Sequence, residues 1–158
     1  MKTTLIIAAI MIFATSSAFS DETFIISTSC GGGFAATHNI SSINQDGVVS
    51  RKVVSFVIPD QNKEEEIIGC INKSDTEQLY LRLMKMDFMN FNYTQPHNFS
   101  CSMSLAVNNR THSVTWPGMF NSKSGRDRPP ELIVPVLDIF RDITKLLAPI
   151  NENKTRNE

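Results

Sequence analysis

The stretch from Phe99 to Trp116, FSCSMSLAVNNRTHSVTW, decides the fold. Phe99, Cys101, Met103, Leu105 and Val107 occupy every second position, with serines and an alanine between them. A period of two with one apolar face is the pattern of a half-buried strand in an antiparallel sheet. Asn108-Asn109 tolerates the left-handed backbone that a two-residue hairpin demands. THSVTW then returns with His112, Val114 and Trp116 on one face. The pattern predicts a hairpin with Cys101 turned toward the core, either as a buried thiol or as half of a bridge to another core-facing position.

Upstream, three β-branched runs predict strands over 24–29, 37–43 and 48–58, with Asp46-Gly47 as a turn between the last two. Arg51-Lys52 interrupts the apolar positions of the third run and suits a bulge or a polar rim. Gly31, Gly32 and Gly33 connect the first two strands. They match no phosphate-binding fingerprint, because no helix opens behind them. Glu64 to Glu66 have the look of a solvated helix start. Ser74-Asp75-Thr76-Glu77 is a capping box, followed at helical spacing by Leu79, Tyr80, Leu83, Met84 and Met86. Met84, Met86 and Met89 are expected as core filler. A turn-rich loop over 117–130 leads to a closing helix through Leu132, Val136, Ile143 and Leu147, with Pro135 as its kink or its first turn. The expectation is one α+β domain over 21–150: an antiparallel sheet of four or five strands packed with two helices. A polar tail, expected to be disordered, follows over 151–158.

Residues 1–20 have the anatomy of a secretory signal peptide: Lys2, the apolar run Leu5 to Phe13, and Ala18-Phe19-Ser20 as the cleavage site. Export to the periplasm or beyond is expected, without insertion in a membrane. The formal net charge of −1 argues against nucleic acid as a partner, since phosphate neutralisation needs a basic excess. The basic clusters Arg51-Lys52 and Arg126 to Arg128 are flanked by acidic or polar residues and are expected as solvated surface. In an oxidising compartment, Cys30, Cys70 and Cys101 allow one disulfide and leave one thiol, and the sequence does not choose the pair. Asn39, Asn72, Asn92, Asn98, Asn109 and Asn153 head Asn-x-Ser/Thr triplets, the acceptor pattern for glycosylation.

Catalytic equipment is not evident. Cys30 next to glycines, with His38 or His112 as base, is the one nucleophile arrangement to test, and disulfide bonding is the simpler fate for that cysteine. His38, His97 and His112 are scattered, without a metal-binding spacing. The reading is a non-enzymatic binding protein with no cofactor and no metal.

GGGFA after a strand, then SLAVNNRTHSVTWPG, then RPPELIVPVLDIF resemble, in that order, the emfourin-like family; the similarity runs from about Phe24 to Leu147. The positions that match are Gly32, Gly33, Phe34 and Ala35, then Val114, Trp116, Pro117 and Gly118, then Pro130 and Leu132. The resemblance implies a small α+β inhibitor of thermolysin-like zinc metallopeptidases that blocks the active-site cleft with surface loops. The candidate partner-binding residues are those of the two unusual loops, Gly31, Gly32, Gly33, Phe34, Ala35, Trp116, Pro117, Gly118, Met119 and Phe120. An export signal, three cysteines, a third glycine and a longer loop after Gly118 set this chain apart from the family pattern. The alternative is an exported interaction domain for an unrelated host or envelope protein.

Overall fold

The alternating hairpin forms as its pattern demands, with Met103 opposite Val114 and Cys101 opposite Trp116. Asn108 and Asn109 are both left-handed, with φ of 47° and 67°. The computed structural model describes residues 22–33, 37–58, 60, 62–121 and 128–155. The expected export signal therefore lies outside the described residues, as do Phe34 and Ala35. In chain order the strands are β1 (Phe24–Gly32), β2 (Thr37–Asn44), β3 (Val48–Ser55), β4 (Lys63–Cys70), β5 (Phe99–Val107) and β6 (Arg110–Pro117). The helices are α1 (Lys73–Lys85) and α2 (Val134–Thr155). All strand pairs are antiparallel, in the spatial order β4-β3-β2-β1-β5-β6. β1 thus lies inside the sheet, between its own meander and the C-terminal hairpin.

The sheet has six strands, not four or five. The additional strand is β4, where Glu64 to Glu66 had suggested the start of a helix. Those glutamates sit on the outer edge of the sheet, where charged side chains discourage pairing with another chain. The β3–β4 ladder is irregular at two points, between Val49 and Ser50 and between Arg51 and Val53, so the expected bulge lies beside Arg51. The other edge, β6, is covered differently. Thr94 bridges to Thr115, and the Gln95 N–H donates to the Thr115 carbonyl at 2.9 Å.

Both helices pack their apolar stripes on one face of the sheet. Leu79, Tyr80 and Leu83 of α1, and Val136, Leu137, Ile139, Phe140, Ile143 and Leu147 of α2, meet Ile26, Ile43, Val49, Met103, Leu105, Val114 and Trp116. Met86 and Met89 join this core, whereas Met84 is exposed, so only two of the three methionines fill it. The cap of α1 lies two residues before the expected one. Asn72 accepts the Ser74 N–H on its side-chain oxygen at 3.1 Å, and Thr76 is buried. A 3₁₀ turn over Glu131–Ile133 leads into α2, whose first turn holds Pro135. The helix continues past Pro149 to Thr155, through the first part of the segment expected as a polar tail.

The opposite face carries small hydroxyl side chains. Ser50, Ser42, Ser27, Ser104 and Ser113 stand in register across five adjacent strands, and the Ser27 and Ser42 hydroxyls are 2.8 Å apart.

Candidate functional site

Antiparallel pairing brings distant segments to one end of the sheet. Gly32 pairs with Thr37 on one side and Phe99 on the other, Thr37 pairs with Ser55, and Ser100 pairs with Pro117. The two segments singled out in the sequence, Gly31–Gly33 and Trp116–Phe120, are therefore neighbours, separated by the first residues of β5.

The glycines serve close approach. A Cβ on Gly31 would fall 2.0 Å from the Thr37 carbonyl oxygen, and one on Gly32 would fall 2.1 Å from that of Asn98. Gly32 also has φ of 123°, a conformation nearly closed to other residues. Gly33 differs: its φ is 74°, a Cβ there would meet nothing within 4 Å, and its N–H donates to the Asn98 carbonyl at 2.8 Å. Gly31 and Gly32 belong to β1 itself, so only Gly33 is part of the connection proper. On the other segment, Gly118 makes room for the Phe99 ring, whose Cδ1 lies 2.1 Å from where a Cβ would stand.

Burial sorts the expected contact residues. Trp116, Pro117 and Gly118 are buried, and Trp116 packs edge-on against Phe140 with ring centroids 5.2 Å apart. Phe120 is half-buried against the core. Met119 is 39% exposed. Among the described residues, other exposed apolar side chains at this end are ones that the sequence did not single out. Phe99 is 48% exposed, and Phe56 and Val57, which follow β3 at the same end, are 73% and 63% exposed. Phe56 stands edge-on to His38 at 5.4 Å, and the His38 Nδ1 lies 3.3 Å from the Ser29 hydroxyl. Phe56 thus lies over the serine face, whereas Phe99 shares the face of Cys101 and packs beside Gly118, so the two are exposed on opposite faces of this end. The signal for Phe56 and Val57 was present but misleading, because FVI reads as strand whereas β3 stops at Ser55. There the Ser55 N–H donates to the Asn62 side-chain oxygen at 2.6 Å, and the Ser55 hydroxyl accepts from the Ile58 N–H at 3.1 Å.

A disulfide anchors this end. Cys30 and Cys101 are direct cross-strand partners on β1 and β5, with Cα atoms 4.1 Å apart, and their sulfurs are bonded. This selects one of the three pairings and leaves Cys70 as an exposed thiol. A bonded Cys30 has no thiolate to offer as a nucleophile. His112 lies elsewhere, on β6, with its Nε2 2.7 Å from the Phe91 carbonyl oxygen. Among the described residues, no group of three His, Cys, Asp or Glu side chains is placed to hold a metal ion. No helix among them is long and apolar enough to cross a membrane.

No protein-family model matches the chain, and no curated protein is similar to it in sequence.

Proposed function

We propose that this is an exported, non-enzymatic protein that inhibits a thermolysin-like zinc metallopeptidase, using the glycine end of its sheet. The observation that carries the reading is convergence. Parts of two of the three segments behind the emfourin-like resemblance, Gly32-Gly33 and Trp116-Pro117-Gly118, are neighbours there, with Phe99 and Met119 exposed beside them. A cleft-blocking inhibitor needs a rigid presenting edge, because preorganisation lowers the entropy lost on binding. The Cys30–Cys101 bridge and the tight glycine contacts supply that rigidity. It also needs a few apolar anchors, since a handful of side chains carry most interface energy. Phe99 and Met119 fill that role, and bulky apolar groups suit enzymes that cleave beside such residues. Phe34, in the connection between Gly33 and Thr37, is a third anchor in this proposal.

The test is titration of the purified mature chain against a panel of thermolysin-like peptidases. Stoichiometric loss of activity is expected, with at least a tenfold weaker effect for Phe99→Asp and Met119→Asp. Full peptidase activity across the panel at micromolar protein overturns the proposal and leaves an exported interaction domain with an unrelated partner.

A further inference from the structure

The core face of the sheet changes character along three strands. Ile26, Ile43 and Val49 lie side by side on β1, β2 and β3, and all are fully buried. Two residues further along the same face, the row reads Thr28, Ser41 and Arg51. Another two residues along, Asn39 stands between Cys30 and Val53. Thr28, Ser41 and Arg51 are half-buried and Asn39 is exposed, so the core face here opens into a polar-floored groove instead of closing over apolar side chains.

Helix α2 does not fill the space above them. Phe140, Thr144, Leu147 and Asn151 form one stripe of that helix and roof a cleft of about 460 Å³. The volume falls in the ordinary range for small-molecule sites, about 300–1,000 Å³. Arg51 is half-buried and is, among the described residues, the one charged side chain lining the cleft. Its Nη2 donates to the Asn151 side-chain oxygen, which holds the guanidinium in place. Among the described residues Arg51 has no ion-pair partner, and Glu66, opposite it on β4, is exposed and does not line the cleft.

We infer that this cleft binds a small organic anion carrying a single carboxylate on an apolar body. One guanidinium with planar forked donors matches one carboxylate, and one bond to Asn151 leaves donors for it. The hydroxyls of Thr28 and Ser41 supply further hydrogen bonds, whereas that of Thr144 already donates to the Phe140 carbonyl at 2.9 Å. Phe140, Leu147 and the Cys30 end of the disulfide form the apolar wall for the rest of the ligand. A phosphate dianion would call for more cationic donors than the described residues of the cleft offer. The site is independent of the peptidase-binding reading.

The experiment uses octanoate and 3-phenylpropionate as probes on the full mature chain, followed by calorimetry and amide NMR shifts, with 1-octanol and inorganic phosphate alongside. The carboxylates are expected to bind and to shift amides of β1, β2, β3 and α2, with octanol and phosphate at least tenfold weaker. Arg51→Gln should weaken carboxylate binding at least tenfold. Thr144→Trp fills the cleft from exposed helix surface and should abolish binding while the spectrum stays folded, which covers the case of a misfolded Arg51 variant. No carboxylate binding at millimolar probe, binding unchanged by both substitutions, or phosphate binding as tight as octanoate each overturns the inference.

Discussion

Gly32 and Gly33 are adjacent and identical in sequence, yet the fold asks different things of them. Gly32 is locked on two counts, its φ of 123° and the Asn98 carbonyl oxygen 2.1 Å from any added Cβ. Gly33 is constrained on one count only: its φ of 74° is left-handed, and no neighbour blocks a side chain. Left-handed backbone costs a non-glycine residue about 1–2 kcal/mol. Gly33→Ala should therefore lower the unfolding free energy by about that amount and leave the fold intact. Gly32→Ala adds a backbone clash that cannot relax without parting β1 from the chain before β5, so its cost should exceed about 3 kcal/mol. Urea unfolding of the two variants beside the parent checks this, and equal losses would show that the clash at Gly32 relaxes.

Elements were legible where a single period governed them. The hairpin of β5 and β6 follows directly from alternation between Phe99 and Trp116, and α1 from its stripe of Leu79, Tyr80 and Leu83. β4 was not legible, because an edge strand packs only part of its length on the core. In KEEEIIGC the charged half serves the edge, and Ile68 alone of its isoleucines packs against the core. The disulfide was half legible: alternation aims Cys101 inward, but choosing Cys30 requires the β1–β5 register, which no local pattern carries. The candidate site was legible as two segments and illegible as a surface, since Phe99 is exposed only because its strand begins at the end of the sheet.

The link between α1 and the strands passes through Tyr80. Its ring stacks on Phe24 at 4.1 Å, and its hydroxyl donates to Glu22 at 2.8 Å, while Asn108 donates to the same carboxylate at 3.2 Å. Burial first, and then the hydrogen bond and the charge of Glu22, push the Tyr80 hydroxyl up from 10.0 to about 12. A raised folded-state value favours the protonated group, so its contribution is complete below pH 10 and is lost as the pH climbs toward 12. Thermal midpoints measured from pH 9 to 12 should fall across that window. Tyr80→Phe should start lower, for want of the hydrogen bond, and fall less steeply. Burial also raises Tyr93, so Tyr93→Phe is the control, and an alkaline loss that follows Tyr93 instead would displace Tyr80 from this role.

At the scale of the whole molecule, the bridge between Cys30 and Cys101 has two separable effects. It closes a separation of 71 residues, and the loss of such a constraint costs a folded chain roughly 4 kcal/mol. It also pins β1 to β5 immediately beside Gly31, Gly32 and Phe99, where the proposed inhibitory edge begins. If rigidity of that edge lowers the cost of entering a peptidase cleft, removing the bridge should weaken inhibition beyond what partial unfolding explains. Reductant is the wrong tool, because free thiols coordinate the zinc of the target enzyme. The double variant Cys30→Ala with Cys101→Ala avoids that, and Cys70→Ser can be added to remove the exposed thiol. Below its thermal midpoint the double variant should keep native circular dichroism, while its inhibition constant rises at least tenfold, mostly through faster dissociation. An unchanged inhibition constant in a folded variant would limit the bridge to stability and place the rigidity of the edge in the glycine contacts with Thr37 and Asn98.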